Sequence, residues 1–180
     1  MSRHSGAAAF PHPARKGGRG RRATSWPGRA WAVLAALIVC GLAVAFAVGR
    51  QQAHAAQPEE ACDLHFSNGT TLAGVPVAKT AEQQARGLAK RDDVGRGMLF
   101  TWAKAEPRVF WMRDTRVPLS IGFFDDTGLL FAIEDMQPET DDYHFSIKPA
   151  SDALELARGQ FQAHGLKEGV RLTGRTCSPL

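Results

Sequence analysis

Between residues 62 and 173 the apolar positions come in short runs, broken every few residues by Gly, Pro, Asn or Asp. Runs of that length between turn residues predict strands rather than helices. In Cys62–Phe66, Leu64 and Phe66 fall on one face, and Asp63 and His65 on the other. Asn68-Gly69 follows, a pair that tolerates the positive φ of a two-residue hairpin turn, and Thr71–Ala78 returns as a second strand. Pro76 has no N–H to give to a ladder, which predicts an edge position or a bulge.

The period changes at Thr80. Its hydroxyl can cap a helix, Gln83 stands three residues on as a capping box requires, and Ala81, Ala85 and Leu88 form a thin apolar stripe. Beyond the charged stretch Lys90–Arg96, strands resume in the run opened by Gly97, in Val109–Met112 and in Leu119–Phe124. Asp125–Gly128 turns the chain into Leu129–Ile133. Phe145–Ile147, Ala153–Ala157 and Gly169–Thr173 complete the set, with a single helical turn at Gly159–His164. The expected fold is mainly β: a compact antiparallel β-sandwich or small open barrel with one or two short helices.

The N-terminal third reads differently. Ala30–Gly49 is twenty uncharged residues, enough to cross roughly 30 Å of hydrocarbon as a helix. Seven basic residues precede it and Arg50 follows, an asymmetry that keeps the N-terminus in the cytoplasm and sends the rest across. Ala53-His54-Ala55 offers the small residues a signal peptidase needs, with cleavage between Ala55 and Ala56. Residues 1–55 are therefore either a signal peptide or an uncleaved membrane anchor, 56–61 a linker, and 62–178 the β domain. Both alternatives place the domain in the periplasm or another extracytoplasmic space. Arg21-Arg22 reads as positive-inside charge and Cys40 as a thiol within the apolar run.

Charge changes the picture once it is divided. The whole chain carries a net charge of +4, yet residues 1–55 hold eight basic groups and no acid. Residues 56–180 hold 14 basic and 18 acidic groups, a net of −4. A nucleic-acid partner, which needs a basic face, is not expected. Cys62 and Cys177 stand near the two ends of the domain, without CxxC spacing and without a His at ligand spacing. Two cysteines in an oxidising space predict a disulfide, and that bridge sets the first and last strands side by side.

Three segments in order resemble the DUF192 family, also called UPF0127, a group of uncharacterised bacterial and archaeal proteins. They are Arg86-Gly87-Leu88 with Gly97-Met98-Leu99-Phe100; Phe110–Thr115 with Pro118-Leu119 and Phe123-Phe124-Asp125; and Leu154-Glu155-Leu156 with Gly159 and Gly165–Gly169. The resemblance implies a compact, mainly β fold, often behind a signal peptide, and no established activity. The family usually reads Asn at Asp114, Asp at Ser120 and Met at Ala89. Ser120 cannot perform the proton transfer of a carboxylate, which counts against a mechanism built on that position.

Trp111–Thr115 is the segment richest in candidate chemistry. Strand alternation puts Phe110 and Met112 on one face and Trp111 and Arg113 on the other. Trp111 then offers a stacking platform, with Arg113, Asp114 and Thr115 as the polar rim of a ligand groove. The structural alternative is that Trp111 closes the second face of the sheet and Arg113 and Asp114 tie down the loop before Pro118. Glu155 alternates with Leu154 and Leu156, so it faces either solvent or a pocket. The residues expected at a binding site are Trp111, Arg113, Asp114, Thr115 and Glu155. The function expected is a non-catalytic module for a small ligand, a glycan or an envelope protein. A hydrolase or lyase using Asp114 and Glu155, with His144 as a third group, is one alternative; an envelope assembly scaffold is another. No cofactor and no metal site are expected: Met98, Met112 and Met136 read as core, and His65, His144 and His164 are scattered. The acidic groups around Pro138 lack the spacing of a calcium loop.

Overall fold

The computed structural model describes residues 57–180 and a helical piece at 44–48 and 50. Most of the apolar run 30–49, Arg21-Arg22, Cys40 and the Ala55–Ala56 cleavage position lie outside those residues. Among the described residues no helix is long and apolar enough to cross a membrane.

The chain runs β1 (Glu60–Phe66), β2 (Thr71–Ala78), α1 (Ala81–Arg86), β3 (Met98–Glu106), β4 (Val109–Trp111), β5 (Leu119–Phe124), β6 (Leu130–Met136), β7 (Tyr143–Phe145), β8 (Ala150–Ala157), α2 (Gln160–Ala163) and β9 (Leu172–Pro179). Seven strands form one sheet in the order β6-β5-β8-β3-β2-β1-β9, and β4 and β7 form a separate ribbon. The mainly β class with short helices holds. The large sheet is mixed, because β2 and β3 run parallel through Val77–Leu99 and Ala78–Phe100. Parallel neighbours need a crossover, and the connection carrying α1 supplies it. Thr80 and Gln83 close the capping box in both directions: the Gln83 N–H donates to Thr80 Oγ1 at 3.2 Å, and the Thr80 N–H donates to Gln83 Oε1 at 3.1 Å.

The outermost strands, β6 and β9, approach at one end through a bridge between Leu129 and Arg171. The Leu130 N–H donates to Val170 O and the Leu172 N–H to Gly128 O. The sheet curls toward a barrel that is pinned there and otherwise open. One apolar cluster lies on its inner face, where Leu64, Leu99, Leu154 and Leu156 meet Phe161 of α2. A second lies on the outer face, where Met98, Phe100, Ile121, Phe123 and Ala153 meet Leu88 and Met112. Strand β8, between β5 and β3, is therefore covered on both sides and reads as nearly continuous burial.

Pro76 is not on an edge strand: β2 is interior. The proline pairs with Ala61 beside an irregularity between Cys62 and Leu64, and the β3 ladder begins only at Val77. The last strand runs to Pro179, well past the apolar stretch expected to end at Thr173, and is exposed over most of its length. Its seven register pairs with β1, from Glu60–Pro179 to Phe66–Leu172, make it a strand where hydrophobic alternation does not. Cys62 and Cys177 are partners in that register and are joined by a disulfide, with 115 residues of sequence separation.

Closing so long a loop is worth about 4–5 kcal/mol in the chain-entropy model. The Cys62→Ser/Cys177→Ser protein should lose most of that stability in denaturant unfolding, whereas wild type treated with reductant should match it. A double variant within about 1 kcal/mol of wild type would show that the ladder alone fixes the first strand to the last.

Candidate functional site

A pocket of about 450 Å³ opens between α1, the start of β4 and the outer face of the large sheet. Its volume falls in the roughly 300–1,000 Å³ range of small-ligand sites. Trp111, Arg113, Asp114, Thr115 and Glu155, all five residues expected from the sequence, line it.

The wall is aromatic. Phe100 and Trp102 alternate along β3, and Phe110 meets both edge-on, with ring centroids 5.1 Å and 6.2 Å apart. The Trp102 indole N–H donates to Gln84 Oε1 at 2.9 Å, and Gln84 in turn donates to Thr101 O at 3.0 Å, which fixes α1 against the wall. The Arg108 guanidinium lies 4.3 Å over the Trp102 ring as a cation–π contact and donates to Ala150 O at 3.2 Å. Ala81 and Ala85 of the apolar stripe are exposed and line this space, and only Leu88 of the stripe is buried.

Trp111 sits on the outward face of the β4–β7 ribbon, 43% exposed, paired with Tyr143. Phe110 and His144 form the inward pair. The loop after β4 is a fastener as well as a rim. Arg113 Nε lies 2.7 Å from Asp141 Oδ1, and this hydrogen bond holds the guanidinium pKa above its ordinary value. Arg116 binds Asp92 at 2.8 Å, and Thr115 O accepts the Glu139 N–H at 2.9 Å. Asp114 has φ of 58°, in the left-handed region, and its carbonyl accepts the Lys90 N–H at 2.7 Å. Asp and Asn enter that region most easily of the residues with a side chain. The family's Asn at this position fits the same backbone without any chemical role for a carboxylate.

Glu155 is 5% exposed and stands in the middle of β8, opposite Met98 on β3 and Ile121 on β5. Its carboxyl is pushed up to about 8, with burial the sole cause. Near neutral pH it is therefore an uncharged hydrogen-bond donor at the pocket floor. Gly97 allows the approach: at φ of +77° it lies so close that an added Cβ would meet Glu155 O at 2.1 Å. The remaining candidates stand elsewhere. His144 is buried beside Glu134, with Nδ1 2.6 Å from Oε1, and does not line the pocket. Ser120 pairs with Leu156 and Asp135 in the ladders, on the sheet face opposite Glu155, and donates to Asp135 Oδ1 at 2.5 Å. Of the acidic groups around Pro138, Glu134 binds His144, Asp135 binds Ser120 and Asp141 binds Arg113.

Arg86, Gln84, Trp102 and Arg108 were not among the expected site residues. Trp102 was recoverable from its alternation with Phe100 in one strand. Arg86 and Gln84 depend on where the crossover sets α1, which no local pattern encodes. One group of His, Cys, Asp and Glu with ligand spacing occurs among the described residues: Glu60, Cys62 and Cys177, whose sulfurs are already joined to each other.

Three variants check this geometry. The unfolded chain releases the Glu155 proton near pH 4.5 and the folded chain near pH 8. Between those values the folded state holds the extra proton, so stability falls as pH rises, by up to about 1.4 kcal/mol per unit, and the fall ends above the folded value. Urea unfolding across that window should show a slope in wild type that Glu155→Gln flattens; equal slopes would refute the buried carboxyl. Asp114→Asn should unfold within about 0.5 kcal/mol of wild type, and Asp114→Val should lose about 1–3 kcal/mol in the same assay.

A crystal structure of a protein from Sinorhizobium meliloti 1021, described as a candidate transcription regulator, is 27% identical, with a TM-score of 0.58 over 68% of this chain and 95% of that one. A protein of unknown function from Novosphingobium aromaticivorans is 26% identical, with a TM-score of 0.56 over 62% of this chain and 81% of that one. No curated protein matches the sequence. The model of DUF192, described as Uncharacterized ACR, matches residues 64–174. That match spans more than half of the 180 residues, and the chain belongs to the DUF192 family.

Proposed function

We propose that this chain is an exported envelope protein whose β domain binds a small ligand, without catalysing a reaction on it. One observation carries the reading: a single pocket gathers Trp111, Arg113, Asp114, Thr115 and Glu155 against an aromatic wall. No Ser, Cys, His or Lys stands among the lining residues; Thr115, Asp114 and the buried Glu155 are the pocket's groups able to act as nucleophile, acid or base, beside a stacking surface and hydrogen-bond donors. The hydrolase alternative keeps Asp114 and Glu155 in the pocket, but its third group, His144, is bound to Glu134 outside it.

Export is supported by the uncharged run 30–49 with seven basic residues before it, and by the disulfide between Cys62 and Cys177. The description given to the Sinorhizobium protein does not transfer easily. Residues 56–180 carry a net charge of −4, and DNA binding needs the opposite sign.

A second reading, a scaffold for an envelope partner, rests on the outer face of the β4–β7 ribbon. Val109, Trp111, Tyr143, Phe145 and Ile147 stand 43–75% exposed there. Exposed apolar residues gathered in this way mark interaction surfaces.

The test compares full-length wild type with Trp111→Ala/Arg113→Ala in a thermal-shift screen of small acids, sugars and amino acids. Wild type should be stabilised by at least one class. The double variant should lose that shift while keeping its own melting point within a few degrees, because Trp111 is half-exposed and the Arg113–Asp141 pair is worth about 0–1 kcal/mol at the surface. If the double variant unfolds, the segment is only a clasp and the reading fails. Loss of a partner protein's binding in a Tyr143→Ser/Phe145→Ser variant that still takes the small ligand would favour the scaffold.

A further inference from the structure

The pocket reverses the charge of the domain that contains it. Residues 56–180 hold 14 cations against 18 acids, yet the pocket is lined by Arg86, Arg108 and Arg113 and by only two acids. Of those two, Asp114 lies at the rim with Lys90 Nζ 3.9 Å from its carboxylate. The other, Glu155, is buried at the floor and holds its proton near neutral pH. The ionised groups that share the pocket with Glu155 are thus Arg86 from α1, Arg108 from the start of β4, and Arg113 and Asp114 from the loop after it, while β3 and β5 pair Met98 and Ile121 with it.

The three guanidinium groups are not equally free. Arg108 is spent on Trp102, Ala150 O and Lys104 O. Arg113 shares its charge with Asp141 but stays 63% exposed. Arg86 is exposed and forms no ion pair among the described residues. A guanidinium fork without a carboxylate, beside aromatic rings, matches a ligand that carries the missing carboxylate on a flat apolar body.

Resting on the small-ligand reading above, we infer that the pocket takes a small organic acid, its apolar ring against the Phe100–Trp102–Phe110 wall with Trp111 at the pocket's edge, and its carboxylate on Arg86 and Arg113. Glu155, as a neutral donor, serves the far end of the ligand and sets no negative charge against it. A neutral sugar would use the same aromatic platform but leave Arg86 without an anion.

Calorimetric titration of the full-length protein with phenylacetate, 3-phenylpropionate, their two amides and methyl glucoside separates the cases. The acids should bind roughly tenfold or more tightly than the matching amides. Arg86→Gln, an exposed and conservative change, should remove most of that difference, weakening the acids far more than the amides. Acid binding should weaken above about pH 8 in wild type and not in Glu155→Gln. Amides or glucoside binding as well as the acids, with loss in Trp111→Ala, would overturn the acid assignment and keep the small-ligand reading. Failure of all five probes at millimolar concentration would overturn both. Acid selectivity unchanged in both Arg86→Gln and Arg113→Gln would overturn the assignment of the anion site.

Discussion

Strand β8 is covered on both faces, and a carboxyl placed in its middle can reach water only through the pocket. The rest of the site follows from that constraint. Leu154 and Leu156 go to the inner cluster and Ala153 to the outer one, so the period of two sends Glu155 outward, under α1 and the aromatic wall. A charged group so enclosed is costly, and the cost is met by holding the proton rather than by pairing. The floor of the pocket is thereby a donor without charge, while its mouth is cationic.

The loop after β4 shows that fastening and recognition are not competing roles. Arg113, Thr115 and Arg116 tie three loops together through Asp141, Glu139 and Asp92, and the same short stretch forms the rim of the pocket. Asp114 turns the chain there, with its backbone in the left-handed region. The two places where this chain departs from the family's usual residues near here now have physical meanings. Asp114 keeps a backbone shape that Asn also keeps, and Ala89 lines the pocket, where a methionine would take up part of its volume.

The legible part of the fold was local. The β1–β2 hairpin, the capping box at Thr80 and Gln83, and the alternation that exposes Trp111 and buries Met112 all depend on neighbours close in sequence. The two cysteines announced that the first and last strands are neighbours, but the apolar pattern did not carry the other pairing between distant segments or the extent of the last strand. The parallel contact of β2 with β3 and the long exposed ladder of β9 arise from partners far along the chain, and Leu172–Pro179 has too few apolar residues to announce a strand. The site divides in the same way. Trp111 to Thr115 and Glu155 stood out as unusual residues in apolar surroundings. Arg86 and Gln84 sit on a helix whose placement is decided by the crossover, so their share in the pocket was not readable from spacing.

The bond between the first and last strands also governs how the domain would bear a load. Cys62 is the third position of the β1–β9 ladder, counted from Glu60. A pull applied through the residues preceding β1 can peel only the Glu60–Pro179 and Ala61–Ser178 pairs before it meets a covalent link. From there the covalent link carries the pull into β9 as well as into the interior strand β2, so traction at the entrance of the chain is shared by the two strands that flank β1.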